Sequence, residues 1–558
     1  MGYQSPTSTR RRVLAAGGAV SAAVIAGCIG EEDGGNGNGD GNSTADISDY
    51  QYEREEPDDE EAARSSSLEF LQPAERDEDF DPVVSFDSYS MQVANLVFDG
   101  LYEWDDEMTL EPKIADGMPE EEDGTTYVFQ IQEGIEFHNG DEVTASDVAH
   151  SFTAPVEEET QNAATYAMIE SAEPIDDYSL EVSLEHEYGP FTMMTMGVNV
   201  VPEDVRTEDR EAFNTDPIGS GPYQFADFQP GEYVELERWD DYWDDPQPYV
   251  QTIRFEAAPD DANRVAQVLA GDTDVIDTVP ATEWDEVESE DGVRIHGTRS
   301  PSYMYLAFNC NEGQTTDPDV RRAVAHSFSM QQFVEDHLGA AADALVSPIP
   351  ELTNEAGGWE FPTDEWADQM PEYDPDQAEQ LLNDAGVPDD WSPRIIAPEG
   401  GPREALAERI GSRLTEVGYG ADVQGMSFAT LVDTYVTGNA DDYEMYLLGW
   451  TGGPDPDVYY YNLFHESQEG VGQGHFYEGQ GEFHDNILAA RESADKEERR
   501  DLYVSVTEEV LEYLPVLPAY SEHNTMAARE QVKDLHAHPE VSYNPRIVSD
   551  YQNTWIDG

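Results

Sequence analysis

Between Thr125 and Gln132 the large apolar residues Tyr127, Phe129 and Ile131 alternate with polar ones. An extended chain places all three on one face. Leu180, Val182 and Leu184 repeat the pattern, so both segments read as half-buried strands. Elsewhere the period lengthens to that of a helix. Asp374-Pro375-Asp376-Gln377 offers an N-cap, a proline at the first helical position and a glutamine at the third. The helix it opens buries Ala378, Leu381, Leu382 and Ala385 and stops at Gly386. Asp317-Pro318 opens another, with Val320, Ala323, Val324 and Phe328 on one stripe. Pro402 opens a third, with Leu406, Ile410, Leu414 and Val417 inward and Gly418 after it.

Helix-then-strand units recur. A helix over 260–270 ends at Gly271 and leads to a buried strand at Asp274-Val275-Ile276. The 402–417 helix leads likewise to Ala421-Asp422-Val423. Met445-Tyr446-Leu447-Leu448, just before Gly449-Trp450, is apolar enough to be a central strand covered on both faces. This alternation predicts an α/β protein. Its 558 residues allow roughly three or four compact units.

The first residues follow a different pattern. Arg10-Arg11-Arg12 precedes a short, weakly apolar run from Val13 to Gly27, and then Cys28. A cationic start, a run too short to span a bilayer and a small-residue cleavage site make a signal peptide. The arginines resemble a twin-arginine export signal, and Ile25-Ala26-Gly27-Cys28 resembles a lipobox, with Cys28 as the lipidated residue. Lipidation leaves Cys310 alone, without an intrachain disulfide, as a small buried hydrophobe. Residues 31–49 carry Gly, Asn and acids with Ile47 as the single large apolar group, and read as a flexible tether. The sequon at Asn42 lies within it.

Charge then narrows the function. Asp plus Glu number 121 against 27 Lys plus Arg, a formal charge of −94, and the only lysines are Lys113, Lys496 and Lys533. Nothing there can neutralise phosphates, so a nucleic-acid binder is excluded, as is adhesion to an anionic membrane through a basic face. Low hydropathy with high charge would suggest disorder, but 9 Trp, 29 Tyr and 20 Phe supply core material throughout. A folded protein with an acidic surface and almost no lysine suits a halophile, where salt screens self-repulsion.

Catalytic and cofactor motifs are absent. There is no G-x-S-x-G elbow, no H-E-x-x-H and no phosphate loop ending in lysine. His536 and His538 read better as an exposed strand pair than as a metal site, with no third ligand beside them. His465, His475 and His484 are too loosely spaced to assign. Neither a cofactor nor a metal is expected, and a secreted hydrolase is the disfavoured reading.

Several blocks, in order, resemble the family 5 extracellular solute-binding proteins, the dipeptide and oligopeptide receptors of ABC importers. They are 95–101 with 110–115, 125–132 with 134–140 and 143–148, and 217–223 with Leu236, Arg238 and Tyr242-Trp243. Then come 305–309 with 319–323, 373–386, and Gly449-Trp450 with Asp455-Pro456. The resemblance implies an α/β, two-lobed periplasmic-binding-protein-like fold (type II, cluster C) with an extra domain inserted in lobe I. It implies lobe I over 50–84, 211–298 and 516–558, the inserted domain over 85–210, and lobe II over 299–515. The two crossings, near Arg299–Tyr305 and Leu514–Tyr520, would form a hinge that closes over the ligand. The implied protein is a monomeric receptor on the cell surface, held by lipid to the outer face of the cytoplasmic membrane. It would hand peptides to an ABC permease and its ATPase.

By position the resemblance points to Trp450, Tyr303, Tyr305 and Tyr520 as ligand contacts, with Ser88, Tyr89 and Ser90 from an early loop. Peptide-binding members carry an aspartate three residues after the tryptophan, paired with the ligand's α-ammonium. Here that place is Gly453, and the next acid is Asp455. The anchor is either shifted to Asp455 or missing, and its absence would favour an oligosaccharide or a nickel chelate.

Overall fold

The computed structural model describes residues 46–76 and 79–558. The signal peptide, Cys28 and Asn42 lie outside the described residues, as does most of the tether.

A seven-stranded mixed sheet organises the first lobe. Its order is Val293–Thr298, Asn524–Arg529, Val275–Asp277, Ser67–Gln72, Thr252–Ala257, Tyr233–Arg238, Tyr223–Gln229. The central strand Ser67–Gln72 runs parallel to both neighbours. Parallel strands need cover on both faces. Here Leu68 and Phe70 pack under the helix Ser88–Val97, and Leu71 under the helix Asp261–Ala270. The latter helix starts where Asp260 caps Asn263 and ends where Gly271 takes a left-handed conformation, as the sequence predicts. The first described residues join this lobe. Ile47 lies against Gly297, and Tyr50 meets Trp284 edge-on.

A four-stranded antiparallel sheet, Glu120–Glu122, Thr126–Gln130, Ser179–Leu184 and Ile169–Asp176, forms a smaller unit. Tyr127, Phe129, Leu180, Val182 and Leu184 point together onto the helix Ala145–Glu157.

The second lobe holds a six-stranded sheet in the order Ala342–Ala344, Val516–Glu522, Ser302–Phe308, Met445–Thr451, Arg394–Pro398, Asp422–Met426. Every residue of Ser302–Phe308 is buried. One face packs on the helices Pro318–His326, Pro375–Asp384 and Gly401–Glu416. The other packs on Asp457–Phe464, Phe483–Glu492 and Lys496–Tyr513. Met445–Thr451 is central, as its composition predicts.

The chain passes between the large sheets at Thr298–Ser302 and again at Glu522–Asn524. The sequence placed the return earlier, within Leu514–Tyr520. The structure keeps all of Val516–Glu522 in the second sheet, because that strand is paired on both sides, with Ser302–Phe308 and with Ala342–Ala344. Hydroxyls tie the two crossings together. Ser300 and Ser302 both donate to the Glu522 carbonyl, and Ser521 donates to the Ser300 carbonyl at 3.0 Å.

Candidate functional site

Tyr303 and Trp450 are direct partners across the antiparallel pair, and Tyr305 follows two residues along. The pleat therefore puts all three on one face. Tyr303 stacks on Tyr305 with centroids 5.1 Å apart and meets the Tyr459 ring edge-on. Tyr520 pairs with Met304, so it lies on the opposite face, at the point where the register shifts. The structure thus brings together three of the four aromatics and sets the fourth apart.

Burial leaves their polar ends without partners. The hydroxyls of Tyr303 and Tyr520 and the Trp450 indole N–H are buried with no hydrogen bond. The Tyr305 hydroxyl has Tyr446 for a neighbour. Burial drives the hydroxyl pKa values of Tyr303 and Tyr520 well up. An unpaired buried donor costs about 1–3 kcal/mol, so such groups concentrate where something else is to be bound.

Ser88, Tyr89 and Ser90 stand not in a loop of an inserted domain starting at 85 but in the first lobe, because the helix they begin packs on that lobe's sheet through Val93, Leu96 and Val97. They open the helix Ser88–Val97, whose N-cap Asp87 accepts from the backbone N–H of Tyr89 and Ser90. The Ser90 hydroxyl is buried and unpaired. Around it the strand ends are polar. Gln72, closing its strand, donates to the Tyr89 carbonyl and to Gln92, and Gln92 donates to Asp277 at 2.7 Å. Burial raises the Asp277 carboxyl to about 7. In α/β sheets ligands collect outside the carboxyl ends of strands. Gln72, Asp277, Trp450 and the loop after Thr451 all lie at such ends.

That loop carries the two positions where an ammonium anchor was sought. Asp455 is fully buried and engaged: Arg499 donates to both its oxygens, at 2.9 and 2.7 Å. Asp455 also accepts from the Asp457 backbone N–H. Gly453 packs against Met194 of the smaller unit, whose sulfur would lie 2.8 Å from a Cβ built there. A thioether thus occupies the space beside the position where an acid was expected. Across the lobes, Tyr459 is close enough to Glu540 to feel its charge.

One residue here was missed in the sequence. Arg403 stands in the first turn of the helix Gly401–Glu416, just beyond the strand Arg394–Pro398. Its charge acts on Tyr520 and Glu522, and its guanidinium lies 3.5 Å from a Cβ built on Gly449. Among the described residues no ion pair, hydrogen bond or aromatic ring engages it. The only signal available was scarcity of cations, which does not say which one faces a cleft.

The histidine readings change. His538 is buried, with Nδ1 beside the Glu540 carbonyl and Nε2 beside that of Asp105, so it is not on an exposed strand. Burial lowers its pKa to about 3, whereas His536 turns to Asp534. No group of three His, Cys, Asp or Glu fit to hold a metal occurs among the described residues. Cys310 lies just after the strand Ser302–Phe308, and burial pushes its thiol up to about 11.

Comparison with known proteins follows the same outline. The model of the bacterial extracellular solute-binding proteins, family 5 Middle, matches residues 109–470. The chain belongs to this family. It is 26% identical over 500 residues to the oligopeptide-binding protein AppA of Bacillus subtilis, covering 86% of this chain and 89% of that one. The solved structure of that AppA, in complex with a nonapeptide, superposes with a TM-score of 0.70 at 23% identity, covering 89% of this chain and 100% of that one. NikZ of Campylobacter jejuni, in complex with Ni(L-His), gives a TM-score of 0.71 at 21% identity, covering 86% and 98%. The two-lobed fold is therefore that of the family 5 binding proteins, and the family is one of receptors for solutes. No helix among the described residues is long and apolar enough to cross a membrane.

Proposed function

We propose that the protein captures peptides between its two lobes and delivers them to an ABC permease, held at the outer face of the cytoplasmic membrane by lipid on Cys28. The lobes close by rotation about the crossings at Thr298–Ser302 and Glu522–Asn524, with the four-stranded unit as the inserted domain. The observation that supports this reading is the set of buried polar atoms without partners close to those crossings: the Tyr303 and Tyr520 hydroxyls, the Trp450 indole and the Ser90 hydroxyl. A receptor reserves such groups for its ligand, and large aromatics beside them suit the side chains and planar amides of a peptide.

A second reading, the same receptor type for an oligosaccharide or a nickel chelate, is favoured by Gly453, which has no carboxylate, and by Asp455, which is already paired. A thermal-shift screen in molar salt separates the two. Peptides are expected to raise the melting temperature, since a ligand at 100 times its dissociation constant stabilises by about 2.7 kcal/mol. A shift with sugars or nickel chelates and none with peptides would retire the peptide reading.

A further inference from the structure

The two lobes also touch at a turn, residues 338–342, which shares its side chains between them. Leu338 and Ala342 belong to the core of the second lobe. Ala340 and Ala341 pack instead against the first-lobe cluster that contains Val279 and Ile295. His523, in the second crossing, holds this turn by three contacts. Its backbone N–H donates to the Ala341 carbonyl at 2.9 Å. Its Nδ1 lies 2.9 Å from the Ala340 carbonyl oxygen, and its Nε2 lies 2.9 Å from a carboxylate oxygen of Asp343. The ring is enclosed, whereas the Asp343 side chain is more than half exposed.

Both ring nitrogens therefore face acceptors. A carbonyl never donates, and neither does an ionised carboxylate. A neutral imidazole has one N–H and can make one of the two bonds, with the other nitrogen's lone pair left against an oxygen. Only the imidazolium makes both. Three carboxylates surround it. Besides Asp343 on the strand Ala342–Ala344, its charge acts on Asp46, at the start of the described chain, and on Glu522, its neighbour in sequence. The cations of this region are Arg299, which acts on Asp46, and Arg403, which acts on Glu522.

We infer that His523 is a proton-dependent pin. Carrying both ring protons, it fastens the 338–342 turn to the second crossing; losing one, it releases that turn and softens the swing between the lobes. The swing belongs to the receptor reading above, and the pin does not depend on it. Histidine is the side chain that changes charge between about pH 5 and pH 8. The bond that needs the second proton is present on the acid side of that range and lost as the pH rises. Water then takes up the exposed Asp343 oxygens, while the enclosed ring keeps one nitrogen unpaired.

Hydrogen exchange of the mature protein in molar salt, from about pH 5.5 to about pH 8.5 and corrected for the intrinsic rate, tests this. Protection of residues 338–344 should fall about fivefold or more toward the alkaline end, and the crossing at 522–525 should loosen in step. The central strand Met445–Thr451 should keep its protection. Asp343→Ala should give low protection of the turn at every pH. Asp343→Asn, whose NH2 can donate to a neutral ring nitrogen, should lose most of the alkaline fall. A wild-type profile flat in pH, or a fall of the same size in Asp343→Ala, overturns the pin. A turn that loosens while the crossing stays protected overturns its part in the swing. Silence of every solute in the thermal-shift screen would retire the receptor reading and leave the exchange result standing.

Discussion

Asp455 shows how far a single position can be read from sequence. Its place after Gly449-Trp450 was visible, and so was the missing acid at Gly453, but its partner Arg499 lies on another helix and no local pattern announces it. Both ends of this pair are buried, so it holds the loop after Thr451 in place. Removing one partner leaves an uncompensated charge, which typically costs about 3–5 kcal/mol. Asp455→Asn is therefore expected to lower stability by roughly that much in denaturant titration, while the folded variant keeps its ligand affinity within about twofold. A large loss of affinity with unchanged stability would instead make Asp455 a ligand contact. The aromatics were legible for a different reason. Tyr303, Tyr305 and Trp450 occur at alternating positions in strongly apolar runs, and the pleat then fixes their common face. Tyr520, named with them as a ligand contact, lies on the opposite face, a placement that cross-strand register decides and a single strand does not show.

At the scale of elements, the informative contact joins the small sheet to the second lobe. The segment Tyr188–Met194 reaches over to the helices Phe483–Glu492 and Lys496–Tyr513. The Gly189 N–H donates to the Arg491 carbonyl at 2.9 Å, and the Arg491 guanidinium lies over the Tyr188 and Tyr461 rings. Met194 then meets Gly453. A Cβ on Gly189 would stand 2.4 Å from both the Arg499 side chain and the Ser493 carbonyl, so only glycine fits. Gly189→Ala is expected to loosen this contact by about 1–3 kcal/mol and speed ligand release several-fold, with unchanged association and unchanged circular dichroism. Stopped-flow dissociation is the measurement, and an unaltered release rate would mean that the contact does not hold the lobes together. The elements themselves were well marked in the sequence. Asp260, Asp317 and Asp374 cap helices as expected, and Gly271 and Gly386 adopt the left-handed conformation after their helices. The docking of one unit on another was not marked, since it depends on backbone approach and on side chains far apart in sequence.

For the whole molecule, the fold was legible because a series of ordered blocks carries more information than any one of them. The charge of −94 played no part in that recognition, and it acts instead through self-repulsion. Raising ionic strength from 0.1 M to 1 M shortens the screening length from about 10 Å to about 3 Å. The melting temperature should rise steeply over that range for wild type. A protein insensitive to salt would show that the acids are matched by something other than screening. The two crossings tied by Ser300, Ser302 and Ser521 carry one mechanical consequence. Two strands fastened side by side resist twist and sliding, and leave essentially one direction of swing. The chain's first described residues are seated on the first sheet, beside Gly297 and Trp284. On the receptor reading proposed above, the first lobe would then be the fixed leaf and the second lobe the one that swings. If the protein hands its solute to a permease, as proposed above, that partner would meet one surface that stands still and another that arrives, and the arrival would report that cargo is aboard.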